Sequence, residues 1–572
     1  MARRLRLLRL LVLAALVAFG LPALAQDASV AGEVTTPYPT FRHLSIEWAI
    51  DGDDDLDGVV SMRFRRVGDS AWRDGMPLRR TPAGGYGGFT WGNRHSGSLF
   101  GLQPGTSYEI ELVLADPDGG NAQRTVFADT RAQPAPMPGA PVRVVTPATL
   151  ASMIASAQPG DILLLQPGVY PGFAFERDGE VGQPIVLRGT PGAVIDGELG
   201  LFFRRHVMLD RLVVNGRIRF NGSDEISVVH CTVNASPSAY NGDGIVSYLR
   251  SENAWIADNV VTGTTPWQEG AMGADGDNRG EGILVTGPGH VIEHNDVRGF
   301  RDAISLLEDA EAVDQFSIDI LGNEIAQALD DAIEADFCAH NCRIVGNRAT
   351  NAFIAFSSQP SLGGPTYFVR NAAYNVAHVA FKLYRESSGD VLLHNSVVKA
   401  GDGFGVYASV PVSRLYTRNN LFLGGPGGEI AGYGNGDGDV ARIATLVVAG
   451  SSLDHDAFGS TLGTFSGRLG GSVFESLAQM QATTSETHAV EIDLATFAQP
   501  LAFPADPLIA FEPADLRLAS GSAARDAGVA IPTINVGFEG AAPDAGAYEV
   551  GSALPHYGPR LDVVFADGFE GG

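Results

Sequence analysis

Short apolar runs recur through the middle of the chain, and Gly, Asp or Asn residues separate them. The runs are four to six residues long, which is too short for helical repeats, and equivalent runs return about every 24 residues. A period of this size is typical of a repeat architecture in which each unit stacks on the one before it. The pattern therefore predicts the coils of a parallel β-helix, with neighbouring coils about 4.8 Å apart.

One asparagine marks each repeat. Buried amides at equivalent positions of stacked coils can hydrogen-bond to one another, so we expect these asparagines to form a ladder. They are Asn259, Asn295, Asn323, Asn347, Asn371, Asn395 and Asn419. The last five lie 24 residues apart and should occupy one column.

Residues 27–133 have a different pattern, with longer strands of alternating apolar and polar positions that predict an antiparallel β-sandwich. The sequence L-x-P-G-T-x-Y-E, from Leu102 to Glu109, and Trp48 upstream resemble a fibronectin type III domain. That resemblance implies a spacer or binding module. A Pro-rich linker is expected at 134–141.

The β-helix is predicted over 142–440, and its C-terminal coils and cap over 441–551. An amphipathic helix within residues 146–161 should cover its first coil. This helix and the runs PGD, LLL, PGVY and PIVLRG after it resemble the opening of secreted pectate-lyase-like proteins. The resemblance implies a right-handed parallel β-helix. The fold class expected is therefore all-β, with this solenoid preceded by the fibronectin type III-like sandwich.

The first 25 residues have a basic start, an apolar core and the small-residue sequence Ala23-Leu24-Ala25. These features predict a secretory signal and an exported protein. No later segment approaches the length of a membrane span. The tail at 552–572 is interpreted as secretion-associated. A net charge of −27 argues against nucleic acid and anionic membranes as partners; we expect a monomer.

The chain has three cysteines. Cys338 and Cys342 should form a disulfide in an oxidising compartment, with a metal site that includes His340 as the alternative. Cys231 is predicted to lie at a ladder position in the core.

Acidic residues gather where the second strand of successive coils begins. Aligning these strands on their inward residues Ile245, Ile283, Ile304, Ile333, Phe381 and Val406 gives an outward column of Val246, Leu284, Ser305, Glu334, Ala355, Lys382 and Tyr407. Two positions before the inward residues stand Asp243, Glu281, Asp302 and Asp331. Asp243 and Glu281 are interpreted as turn residues. Asp302 should face Asp330, Asp331 and Glu334 on the next coil.

Two carboxylates about 4.8 Å apart repel by roughly 3–4 kcal/mol at an effective dielectric constant of 20. Such a cluster must be protonated, solvated or bound to a hard cation, and oxygen-only ligands suit Ca²⁺. Ordinary turn residues are the alternative interpretation.

The sequence D-D-x-x-E, with an Asp one coil earlier and an outward Lys afterwards, is similar to the calcium-dependent pectate lyases of polysaccharide lyase family 9. That resemblance implies calcium ligands at Asp302, Asp330, Asp331 and Glu334, and a proton-abstracting base at Lys382. The chain departs from the family in having Glu at 334 and in placing Lys382 two coils from the acids, about 9–10 Å away.

Lys382 is one of only two lysines in the chain, and lysine, unlike arginine, can lose its proton and act as a base. Arg385 could pair with a substrate carboxylate. Asp336, Tyr384 and Tyr407 are expected to bind substrate.

Three functions remain open at this point. The first is a secreted calcium-dependent lyase that cleaves a uronate-containing polysaccharide by β-elimination. The second is an inverting glycoside hydrolase that uses two carboxyls from Asp302, Asp331, Glu334 and Asp336. The third is a solenoid that binds glycans or mediates adhesion without catalysis.

Overall fold

The computed structural model describes residues 26–560. The predicted signal sequence and residues 561–572 of the predicted tail lie outside this range. Two long parallel sheets, of 13 and 17 strands, run through most of the described chain. The predicted parallel β-helix is confirmed.

The first sheet contributes one strand to each coil. Its strands are Val142–Val145, Ile162–Leu165, Ile185–Gly189, Val207–Asp210, Ser227–Val229, Trp255–Ala257, Val291–Glu293, Asp319–Leu321, Cys342–Val345, Leu362–Val369, Ser388–Leu393, Tyr416–Arg418 and Ser452–Asp454.

The second sheet contributes up to two strands to each coil, so that it holds two columns of strands. The columns join in the long strands Glu324–Glu334 and Arg348–Ser357. All strands of this sheet, in order, are Gly168–Phe175, Ala193–Leu201, Val213–Arg219, Thr232–Asn234, Ile245–Val246, Val260–Thr262, Glu281–Val285, Asp296–Phe300, Asp302–Leu306, Glu324–Glu334, Arg348–Ser357, Ala372–Val376, Phe381–Lys382, Ser396–Val398, Leu421–Gly424, Ala457–Ser460 and Val490–Glu491.

Small elements complete the solenoid. A four-stranded sheet contains Phe404–Gly405, Ala441–Ile443, Gly467–Leu469 and Ser472–Phe474, and a hairpin contains Glu429–Ile430 and Tyr433–Gly434. Among the described residues, the α-helices are Leu150–Ala155 and Leu477–Thr483, and the 3₁₀ helices are Tyr240–Gly242, Glu269–Ala271, Asp309–Glu311 and Leu494–Thr496. Leu150 and Ile154 of the first helix pack into the main core, so this helix covers the start of the solenoid as predicted. Within residues 26–560, no helix is long and apolar enough to cross a membrane.

All six predicted inward residues lie in the main hydrophobic core, and all but Val406 lie on strands of the second sheet. One alignment was wrong. Ile333 pairs with Phe356, and Phe356 pairs with Phe381, so Ser357 rather than Ala355 stands between Glu334 and Lys382. Tyr407 also leaves the predicted column, because the chain after residue 403 forms the small four-stranded sheet instead.

The asparagine ladder forms, with one correction at its end. From Asn259 to Asn395, each side-chain amide donates to the Oδ1 atom of the next asparagine at 2.8–3.0 Å. Asn420 takes the ladder position that was predicted for Asn419, and its side-chain amide donates to Asp456 Oδ1. Asn419 occupies the corner before the ladder position, where its φ is +61°. The residue before each ladder position has a left-handed backbone conformation, which asparagine tolerates well.

The cysteines adopt the predicted arrangement. Cys338 and Cys342 form a disulfide, which excludes the alternative of a metal site built on both thiols. Cys231 is buried, and its backbone N–H donates to Asn259 Oδ1 at 2.8 Å, so it starts the ladder.

The N-terminal unit is antiparallel, and its strands in sheet order are Val30–Thr35, Leu44–Asp51, Arg94–Leu99, Arg73–Thr81, Val59–Arg66, Ser107–Ala115 and Ala122–Asp129. Its own core buries Trp48 and Tyr108. The fibronectin type III identity of this unit remains a prediction. A separate hairpin, Gly84–Tyr86 and Phe89–Trp91, projects from it.

This unit packs directly on the first sheet of the solenoid. Arg343 is fully buried, pairs with Asp319, and donates to Ser45 Oγ at 3.0 Å and Ser98 Oγ at 3.1 Å. His43 Nδ1 lies 2.7 Å from the second carboxylate oxygen of Asp319. These contacts join the unit to the solenoid through a buried ion pair, and removing one partner of such a pair is strongly destabilising.

Candidate active site

An open cleft of about 590 Å³ lies over the second sheet. Its floor is formed by strands Glu281–Val285 and Asp302–Leu306 and by the end of Glu324–Glu334. The acidic residues in its lining are Glu281, Asp302, Glu308, Asp309, Glu311 and Glu334. Arg301 and Tyr248 also line it.

The parallel register explains why the acids meet. Glu281 pairs with Asp302 on the next strand, and Asp302 Oδ1 accepts a hydrogen bond from the backbone N–H of Asp331 at 2.8 Å. In the outward column of the same strands, Ser305 pairs with Glu334. Because strands in register place equivalent residues about 4.8 Å apart, acids at equivalent positions must stack. The predicted column of Glu281, Asp302 and Asp331 therefore exists.

The acids form two groups. Carboxylate oxygens of Asp302, Asp330 and Asp331 lie within 4.8 Å of one another. The same holds for Glu308, Glu334 and Asp336. The structure thus brings together three of the four predicted calcium ligands and places the fourth, Glu334, in the second group.

Burial raises the pKa of each predicted acid. Burial and the neighbouring Asp331 raise the pKa of Asp330 to about 7, and burial is also the largest cause for Asp331 and Asp336, whose pKa values rise to about 6. The pKa values of Asp302 and Glu334 rise well above the ordinary range, because burial is reinforced by other carboxylates. Burial therefore favours the protonated forms of Asp302 and Glu334 most strongly.

Lys382 is the cation that faces these acids. Its backbone stands two rungs from Glu334 in the same column, as predicted. Its side chain closes the expected gap, however, because Nζ bonds to Asp331 Oδ2 and lies 3.7 Å from Glu334 Oε1. Burial lowers the pKa of Lys382, but the carboxylates of Asp331, Asp336 and Glu334 outweigh that effect and raise it. Lys382 is therefore held in its protonated form.

The first acid group fits a hard cation. It offers oxygen ligands from three carboxylates, and Asp331 Oδ1 is buried with no hydrogen-bond partner. Hard cations such as Ca²⁺ prefer such ligands. Asp302, Asp330 and Asp331 are the residues that would hold the ion, while Lys382 occupies the other oxygen of Asp331.

The remaining predicted residues lie beside the acids. Tyr384, Arg385 and Tyr407 line a second cleft of about 390 Å³. Asp336 is fully buried, and its Oδ1 accepts from Ser357 Oγ at 2.6 Å and from the Gln359 N–H at 2.7 Å. Its neighbours thus already use one of its oxygens.

Sequence reasoning missed three residues of the first cleft. Glu281, interpreted as a turn residue, accepts a hydrogen bond from Ser305 Oγ at 2.6 Å, and burial raises its pKa to about 7. Arg301 lies 3.4 Å from Asp302 and 3.6 Å from Asp330. Glu308 joins the second acid group from a loop. The position of Glu281 in the acid column was the signal for it; Glu308 had no comparable periodic signal.

Comparisons with known proteins do not identify a family for this chain. No family model matches the chain, and no curated protein matches it. Among solved structures, the chain is similar to a family 28 exopolygalacturonase from Yersinia enterocolitica, with a TM-score of 0.32 and 11% sequence identity. The match covers 74% of this chain and 95% of that one. At this TM-score the likeness carries no argument about activity.

Proposed function

We propose that this protein is a carbohydrate-active enzyme that hydrolyses glycosidic bonds in a uronate-containing polysaccharide. The observation that carries the proposal is the set of buried carboxyls with raised pKa values in the wall of an open cleft. A carboxyl that keeps its proton near neutral pH can act as a general acid. Glycoside hydrolysis needs such an acid together with a second, ionised carboxyl.

Asp302 and Glu334 are the acid–base pair that the cleft supports. Both line it, and they belong to different acid groups. The charge of Asp302 is one cause of the raised pKa of Glu334, so Glu334 ionises more readily when Asp302 holds the proton. One carboxyl gives its proton to the leaving oxygen as the C1–O bond breaks. The other takes a proton from a water whose oxygen forms the new bond to C1. Separate carboxyls with a water between them are the arrangement of an inverting hydrolase.

Cations in the clefts favour a uronate over a neutral sugar. The side chain of Arg301 is 40% exposed in the first cleft, and that of Arg385 is 35% exposed in the second. Guanidinium groups bind carboxylates through two parallel hydrogen bonds. The two arginines would reduce the electrostatic repulsion between the acidic clefts and a polyanionic chain.

Calcium-dependent β-elimination is the second candidate. One observation favours it: Asp302, Asp330 and Asp331 converge as a fit for Ca²⁺, with Asp331 Oδ1 lacking a partner. The ion would neutralise the uronate carboxylate and acidify the neighbouring C–H bond. Lys382 would then have to give up its proton to serve as the base. The carboxylates around Lys382 oppose that step, so elimination ranks behind hydrolysis.

The test is a screen of uronate polysaccharides that records new reducing ends and unsaturated products separately. Hydrolysis predicts reducing ends without unsaturation, and activity that survives a chelator. Asp302→Asn and Glu334→Gln should each lower the rate about 10²–10⁴-fold. Glu311→Gln, which removes an exposed acid of the same cleft outside both acid groups, should keep the wild-type rate. Unsaturated product would establish elimination, and the absence of turnover on every polymer would favour a binding protein.

A further inference from the structure

We propose that the second cleft is a binding subsite for a uronate residue of the polymer, and that the N-terminal unit supplies one wall of it through Tyr86. The inference rests on the proposed function for its ligand. It gives the N-terminal unit a role in substrate recognition, where its sequence suggested a spacer or an independent binding module.

The cleft is built from both units of the chain. Tyr86 comes from the hairpin of the N-terminal unit, and Tyr384, Arg385 and Tyr407 come from loops of the solenoid. All four side chains are partly exposed. Without the N-terminal unit, the cleft would lose the wall that faces the solenoid loops.

The hairpin is fixed against the solenoid. The Phe89 ring lies 5.3 Å from the Phe337 ring, and the Tyr86 ring lies 6.5 Å from it. Trp91 packs with them against the cluster of Ala312, Phe337 and Leu362. Since the buried network around Arg343 also anchors the unit itself, Tyr86 is held in place before any ligand arrives. A preorganised wall loses little freedom on binding.

The lining matches the chemistry of a sugar acid. Three tyrosine rings offer apolar faces together with hydroxyl groups, which suits a ligand with one apolar face and a polar rim. Tyr407 Oη donates to Asp402 Oδ2 at 2.9 Å, which fixes that ring. Arg385, whose Nη1 is held by Glu308 and Asp309, adds a partly exposed guanidinium for a carboxylate.

The second cleft adjoins the acids of the first. Arg385 Nη1 lies 3.3 Å from Glu308 Oε2, and Glu308 lines the first cleft. Gln359 lines the second cleft, while its backbone N–H donates to Asp336. The acid group of Glu308, Glu334 and Asp336 therefore stands between the two clefts. A polymer whose scissile bond lies at the acids would place a neighbouring residue against Tyr86 and Arg385.

The experiment compares Tyr86→Ala with Phe89→Ala. Both remove an aromatic ring that packs near Phe337 on the same hairpin, but only Tyr86 lines the cleft. Polymer binding is measured by affinity electrophoresis in gels containing the uronate polysaccharide that the screen identifies, or polygalacturonate if none is cleaved. Turnover is measured in parallel on any substrate found.

Tyr86→Ala should weaken polymer binding about five- to tenfold, the size expected for one lost ring contact, and raise KM with kcat unchanged. Phe89→Ala keeps the Tyr86 ring in the lining and removes only one of the contacts that fix the hairpin, so it should weaken polymer binding less than Tyr86→Ala does. Equal binding by wild type and Tyr86→Ala would overturn the subsite even if the polymer is cleaved. Binding that depends on Tyr86 without any turnover would keep the subsite and overturn the hydrolase. A wild-type protein that neither binds nor cleaves a uronate polymer would overturn both.

Discussion

Lys382 forms an ion pair with Asp331 across two rungs of the second sheet, inside the acidic wall of the cleft. Lys382 is 6% exposed and Asp331 is fully buried. Removing one partner of a buried ion pair leaves an uncompensated charge, which costs about 3–5 kcal/mol. The pair therefore couples the stability of these coils to the charge of the site.

Lys382→Gln should lower the free energy of unfolding by about that amount at neutral pH. Adding Asp331→Asn should recover part of the loss, because the orphaned carboxylate is then gone. Urea unfolding of the two variants measures both effects.

The control is Lys399→Gln, which replaces the only other lysine. Lys399 is also buried, but its bonds go to the backbone carbonyls of Ala400 and Asp402. Its loss should not be rescued by Asp331→Asn. A double variant at 382 and 331 no more stable than Lys382→Gln alone would show that the ion pair is not coupled in this way.

The acid groups should make the protein less stable as the pH rises. The folded state keeps protons up to a pKa of about 6 for Asp331 and Asp336 and about 7 for Asp330. The unfolded chain releases them near pH 4, at about the ordinary pKa. Between those values the folded state binds more protons, so stability falls with rising pH.

Thermal unfolding from pH 4 to pH 7 in chelator-containing buffer measures this slope. Each group contributes about 1.4 kcal/mol per pH unit within its window. Asp330→Asn should flatten the profile between pH 4 and 7. If wild type and variant give parallel profiles, the pKa of Asp330 is not raised in the folded state.

Under the second candidate, calcium-dependent elimination, calcium binding should release protons. The three carboxyls that fit the ion must be ionised to ligate it, and two of them have pKa values of about 6 and 7. Affinity measured by calorimetry should therefore be higher at pH 7.5 than at pH 5.5, and the heat should depend on the buffer. Asp331→Ala should abolish this binding.

Asp57→Asn is the control for calcium binding elsewhere. Asp53, Asp55 and Asp57 form another acidic group in the N-terminal unit. Binding that disappears with Asp57→Asn but persists in Asp331→Ala would assign the calcium to that unit and remove the ion from the cleft.

The asparagine ladder should contribute strongly to stability. Asn371 donates to Ile344 O and Asn395 Oδ1, and its own Oδ1 accepts from the backbone and side chain of Asn347. Asn371→Ala leaves several buried groups unpaired, at about 1–3 kcal/mol each.

Asn371→Ala should thus lower the midpoint of urea unfolding markedly. Asn234→Ala removes an exposed amide with one side-chain partner, Asn215, and should change stability by less than about 0.5 kcal/mol. Similar losses in both variants would contradict a structural ladder.

Periodicity predicted what the backbone repeats. The solenoid, the ladder from Asn259 to Asn395 and the stacking of Asp302 with Asp331 all follow from residues that return at equivalent positions. The ladder prediction was wrong only at Asn419. Two asparagines are adjacent there; the first occupies the left-handed corner, and the second, Asn420, joins the ladder.

What periodicity could not predict depends on long side chains and on loops. Lys382 reaches Asp331 across two rungs because its side chain is long, and strand spacing alone does not predict this contact. Glu308 enters the site from a loop, and Tyr86 arrives from the other unit of the chain. The docking of that unit depends on the buried Arg343, and nothing in the sequence distinguishes this arginine from the others.

The source of the oxygen in the product tests the central claim most directly. The reaction is run in water enriched in heavy oxygen, and the new reducing ends are analysed by mass spectrometry at early times. Hydrolysis at the acids of the cleft predicts one heavy oxygen at each new reducing end, because water forms the new bond to C1. Products with unsaturated ends and no heavy oxygen would contradict hydrolysis and establish elimination.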